Sequence, residues 1–89
     1  MSDFNKAIEY HKLHINIAKE MGDRVGEGRT YGNNGCAYSK LGDLRKAKEY
    51  HQLDLSVAKE LEDKDREAIA CGNLGNSYRN LGGLDKAVE

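Results

Sequence analysis

The sequence predicts an all-α fold of antiparallel helix-turn-helix repeats, and three observations carry that expectation. The 89 residues include no proline and are rich in Ala, Leu, Lys and Glu, a composition that suits helix throughout. Laid over one another without a gap, segments 3–42 and 43–82 are identical at 18 of 40 positions, and self-similarity at such a period marks a repeat architecture. Within each forty residues the apolar positions recur at three- and four-residue steps, the spacing of one helix face. A third copy opens at Gly83, where GLDKAVE aligns with DLRKAKE and DFNKAIE.

A single repeat segment, 1–89, is therefore expected, with helices at about 3–21, 25–41, 43–61 and 65–81 and the start of another at 83–89. In the first helix Phe4, Ala7, Ile8, His11, Ile15 and Ala18 form one apolar stripe, and Tyr10, Leu13 and Ile17 form a second, which predicts packing on two flanks. Lys6, Glu9, Lys12, Asn16 and Glu20 are left as a solvated ridge. Asp3 and Asp43 stand where an N-cap acceptor is wanted, and Gly42 and Gly82 suit the left-handed end of the preceding helix. The second helix is expected to bury Tyr31, Gly35, Tyr38 and Leu41, and the fourth Cys71, Leu74, Gly75, Tyr78 and Leu81. Asn33-Asn34-Gly35 is locally a hairpin-turn signal, but its register partner Asn73-Leu74-Gly75 continues an apolar helical stripe. Helix is expected through both, with Gly35 and Gly75 each giving up about 1 kcal/mol of helix propensity so that neighbouring helices can approach closely.

Fourteen Lys and Arg against fifteen Asp and Glu leave a net charge of −1, so the basic excess that a nucleic-acid partner requires is absent. No apolar run is long enough for a membrane span or a signal-peptide core, and a cytoplasmic protein is expected. Cys36 and Cys71 are too few for a disulfide framework, lack zinc spacing and occupy different places in the repeat. His11 and His14 lie one helical turn apart, but His11 and His51 share one register, which marks a packing position used once per unit. No metal and no other cofactor is expected. Gly26-Glu27-Gly28 lacks the preceding strand and the lysine of a phosphate loop, and is read as easing the start of a helix. No nucleophile recurs with an orienting base, so the protein is not expected to be an enzyme.

The run Leu74-Gly75-Asn76-Ser77-Tyr78, followed by Leu81-Gly82, resembles the first-helix signature of the tetratricopeptide repeat (TPR), L-G-x-x-Y then G, and Ala47 falls where that motif takes a small residue. With forty residues per unit and the elements KAxEYH, LxxAKE and NLGNxY, the chain resembles the Pins/LGN-type G-protein-signalling modulators over essentially its whole length. Lys59 stands where the shorter repeat often has proline, consistent with a longer second helix. Asn34 replaces the signature leucine in the first copy, which leaves a weaker helix pair there. The resemblance implies a TPR-like α-solenoid with a right-handed superhelix, in which the first helix of each pair lines a concave groove.

On that helix the stripe i, i+4, i+7, i+11 is polar without need, and it supplies the candidate peptide-binding residues. They are Arg29, Asn33, Cys36 and Lys40 in one copy and, in the other, Asn73, Asn76 and Asn80, preceded by Ile69. An Asn amide carries both a donor and an acceptor, so a ladder of them can pair with the backbone of an extended peptide without reading its side chains. Arg29 could add a fork for a carboxylate. The resemblance implies extended, often acidic, peptide segments of scaffold proteins as partners. Two departures thin the ladder: Cys36 stands where the next copy has Asn76, and Ile69 where the first has Arg29. Gly32 and Gly72 stand where co-chaperone TPR domains carry the lysine that clamps a C-terminal carboxylate, so that mode is disfavoured.

The alternative function is a structural spacer or self-assembling repeat, in which the same asparagines only satisfy neighbouring helices. Repeats bury their apolar faces against neighbours, and two copies leave faces over. A fragment of a longer array is expected, whose open ends associate with other copies. The association would be end-to-end stacking or helix exchange through the turns Leu41-Gly42-Asp43 or Leu81-Gly82-Gly83.

Overall fold

The computed structural model describes the backbone of residues 3–87 and the side chains of residues 3–82. Four helices follow one another: α1 (Phe4–Met21), α2 (Arg24–Lys40), α3 (Leu44–Glu60) and α4 (Lys64–Ala87). Each starts the same way. The carboxylates of Asp3, Asp23, Asp43 and Asp63 accept from the backbone N–H three residues on, of Lys6, Gly26, Lys46 and Arg66, at 2.9–3.2 Å. Such a cap contributes about 1 kcal/mol to a helix by satisfying one of its free first-turn donors. The chain leaves α1 through Gly22 at φ 71 and leaves α2 through Gly42 at φ 85, left-handed conformations that cost glycine little. Glu62, the register counterpart of Gly22, takes the same conformation at φ 55 with a side chain attached.

The expected turn at Gly82-Gly83 and the start of a separate helix at 83 are not found, because α4 runs on to Ala87. The reason is local. Position 83 is glycine where Asp3 and Asp43 stand in the other copies, so the side-chain acceptor that starts every other helix is missing. Asn33-Asn34-Gly35 is helical, as the repeat requires, within an unbroken α2.

Successive helices pack antiparallel, α2 between α1 and α3, and α3 between α2 and α4. Ile15, Tyr31 and Val57 form the centre, with Tyr50 packed against it. The Tyr50 ring stacks on Tyr38 at 5.4 Å between centroids and meets Tyr31 at 6.2 Å. Small residues on α2 make this contact close. A Cβ on Gly35 would lie 2.5 Å from the His51 ring, and one on Gly28 would lie 3.0 Å from Val57. Gly35 therefore does what its register suggests, whereas Gly75 does not: nothing comes within 4 Å of where its Cβ would be.

That difference extends along α4. Cys71, Gly75 and Tyr78, expected to be buried, are exposed, while Leu81 is buried and Leu74 half-buried. Leu41, also expected inside, is exposed at the end of α2. On α1 the first apolar stripe packs, with Ile8, Ile15 and Ala18 buried, but Tyr10, Leu13 and Ile17 stand 66%, 56% and 45% exposed. Among the described residues only one flank of α1 and one flank of α4 meet a neighbouring helix.

Candidate functional site

Residues of α2 and α4, which both pack on α3, line a common cleft, so the polar stripes of the two helices come side by side. Cys36 and Lys40 from α2 and Asn73, Asn76 and Asn80 from α4 line one cleft of about 120 Å³, with His51 and Ser77 among its other walls. Asn33, Cys36 and Lys40 also line a second cleft of about 360 Å³, against Phe4, Ala7 and His11 of α1. Cys36 and Lys40 thus belong to both. Six of the seven candidate residues lie in this continuous track. Arg29 is exposed at the start of the stripe and lines neither cleft, and neither does Ile69.

The track is polar along one cleft and apolar at one end. Asn76 already accepts from Arg79 Nη2 through its Oδ1 at 2.6 Å, and its NH₂ group, without a partner among the described residues, can donate. Asn73 is half-buried, and its backbone carbonyl accepts from the Ser77 hydroxyl at 3.1 Å. Lys40 brings a positive charge to the junction between the clefts, and Phe4 and Ala7 offer apolar surface beside Asn33.

Beneath the track sit polar groups whose pairing sequence reasoning did not foresee. Asn34 is fully buried, and the His11 ring donates through Nδ1 to its Oδ1 at 3.0 Å. Its Nδ2 has no partner among the described residues, so the exchange of leucine for asparagine leaves one buried donor unmet, a cost of about 1–3 kcal/mol. In the second copy Leu74 stands in that place and offers His51 no acceptor; His51 is buried against Gly35, and its Nδ1 has no partner among the described residues. Burial pushes His51 below the ordinary histidine range, against the opposing pull of Asp54. The signal for these groups was a polar residue breaking an apolar stripe.

Two further networks clamp the helices that carry the track. Arg66 Nη2 of α4 donates to both carboxylate oxygens of buried Asp54 of α3, each at 2.9 Å. Arg24 of α2 donates through Nε and Nη2 to Glu60 of α3 at 2.8 and 3.0 Å, and through Nη1 reaches Glu27 at 2.8 Å. Glu27 in turn accepts from the Tyr31 hydroxyl at 2.7 Å. Burial alone would raise Glu27, but the bonds from Tyr31 and Arg24 outweigh it and hold the carboxyl below its ordinary value. Burial, and then Glu27, push the Tyr31 phenol up to about 12. Gly26-Glu27-Gly28 is thus the first turn of α2, with Glu27 as a buried acceptor between two donors. Gly32 packs against Asp54 rather than facing the track.

No three His, Cys, Asp or Glu side chains gather as a metal site among the described residues, and no described helix is long and apolar enough to cross a membrane. The tetratricopeptide-repeat family model matches residues 28–52, which run from the first turns of α2 across the turn into α3. The solution NMR structure of designed protein DA05 is similar to this chain with a TM-score of 0.85, over 90% of this chain and 80% of that one, at 24% identity. No curated protein sequence matches the chain. The fold is all-α and TPR-like, and repeats of this kind generally mediate contacts between proteins.

Proposed function

We propose that the chain is a protein-interaction scaffold of the forty-residue, Pins/LGN-like kind, holding an extended peptide segment along the α2/α4 track. The observation that carries this reading is the alignment of Cys36, Lys40, Asn73, Asn76 and Asn80, from two helices that are not consecutive, along a single cleft. Amide groups at that spacing can pair with peptide N–H and C=O groups. Lys40 favours an acidic segment, and the apolar patch of Phe4 and Ala7 favours one apolar side chain at the end near α1. The role belongs to the cytoplasm and needs neither cofactor nor catalysis.

A panel of extended acidic peptides, read by NMR shift perturbation, tests the reading. Bound peptide should move the amide signals of Asn33, Lys40, Asn73 and Asn76. The double substitution Asn73→Ala, Asn76→Ala should weaken binding by roughly tenfold or more without lowering the melting temperature. Loss of stability with no peptide bound would instead favour a structural spacer, because the asparagines would then serve the helices alone.

A further inference from the structure

The uncovered flank of α4 and the uncovered flank of α1 are the two halves of an interface that the chain already contains once. Within the chain, α2 covers α3: Tyr38 and Tyr31 meet Tyr50, Gly35 meets His51, and Gly28 meets Val57. Forty residues on from α2, the flank of α4 carries Tyr78, Cys71, Gly75 and Ala68, all exposed. Forty residues back from α3, the flank of α1 carries Tyr10, His11 and Ile17, and of these Tyr10 and Ile17 are exposed. Most partners in the α2/α3 contact have their counterparts, in the same register, on one of the two open flanks; His11, the counterpart of His51, is half-buried and bonds Asn34 of α2 instead.

Charge follows the same pattern. Arg24 at the start of α2 bonds Glu27 on its own helix and Glu60 at the end of α3. Its counterpart Lys64 pairs with Glu67 on its own helix at 3.5 Å and is otherwise exposed, and the counterpart of Glu60 is the exposed Glu20 of α1. Lys46 lies over the Tyr38 ring at 5.9 Å; its counterpart Lys6 is exposed on α1, and the counterpart ring is Tyr78. One complementary charge pair, Lys64 with Glu20, is therefore set out on opposite ends of the chain, whereas the Tyr78 ring already has Lys48 of α3 over it at 5.5 Å and its hydroxyl accepts from Gln52 at 3.1 Å. The differences do not block the match. His14 replaces Asp54 and lies 3.3 Å from Thr30 of α2, and the residue that would face it is Gly72, with nothing within 4 Å.

We infer that the partner of these flanks is a second copy of this chain, with α4 of one copy covering α1 of the next as α2 covers α3. The contact is head-to-tail, so the same two surfaces remain open at the ends of a dimer and growth continues unless the rotation closes a ring. The α1 flank adjoins the second cleft through His11, so the assembly would reshape the α1 end of the track while lengthening the track by one chain at a time.

Light scattering of the full chain over a concentration series, with two blocked variants, tests this. Tyr10→Glu changes a side chain that is two-thirds exposed, and Gly75→Glu places one where nothing lies within 4 Å, so both should keep the helical fold with no loss of melting temperature. The unaltered chain should exceed the mass of a dimer as concentration rises. Each variant alone should associate more weakly by more than about tenfold and stay at the 9.9 kDa monomer. Mixed in equal amounts, the two should form a one-to-one dimer that grows no further, since each retains the flank that the other has lost. A chain that stays monomeric throughout, a dimer that survives both substitutions through helix exchange, or variants that ignore each other when mixed would each overturn the inference.

Discussion

Helices α2 and α4 hold the same place in successive repeats, yet a neighbour covers α2 on both flanks and α4 on one. Gly28, Gly32 and Gly35 each lie against a side chain of α3, while Gly72 and Gly75 face open space. Tyr31 is buried and its counterpart Cys71 exposed; Tyr38 is half-buried and Tyr78 is 52% exposed. The repeat thus specifies a face, and the presence of the next helix decides whether that face is core or surface. The comparison also runs the other way. The Asp54–Arg66 clamp joins α3 to α4, but the corresponding positions between α1 and α2 are His14 and Gly26, which cannot form it.

The largest expected effect tests that clamp. Arg66→Ala leaves the Asp54 carboxylate, 1% exposed, without the donor of both its bonds, and should cost about 3 kcal/mol. Urea unfolding reads it directly, and an unchanged midpoint would mean that α4 is held without the clamp. Next comes a paired substitution with opposite signs. Gly35→Ala drives a methyl into the His51 ring and should destabilise by about 1–3 kcal/mol. Gly75→Ala meets nothing and should stabilise by up to about 1 kcal/mol through helix propensity. If both moved stability in the same direction, the contrast between covered and uncovered flanks would fail. The smallest effect lies in the turns: Glu62→Gly removes the side chain from a φ of 55 and should stabilise by about 1 kcal/mol, seen as a higher melting temperature.

The sequence by itself determined the period, the number of complete repeats and the helical reading of Asn33-Asn34-Gly35, because these follow from self-similarity and local propensity. It also put the candidate residues on one stripe, since a helix converts spacing into a face. Tertiary structure decided what the stripe and its neighbours meet. It aligned the stripes of α2 and α4 across a cleft, left Arg29 outside it, gave Asn34 a partner in His11, and set Gly35 against a ring and Gly75 against nothing. None of these could be read from spacing, because they are distances between helices, and burial is fixed by what lies on the far side of a residue. The same limit explains Gly82: the glycine was visible in sequence, but whether the chain turned there depended on a cap that Asp43 supplies and Gly83 cannot.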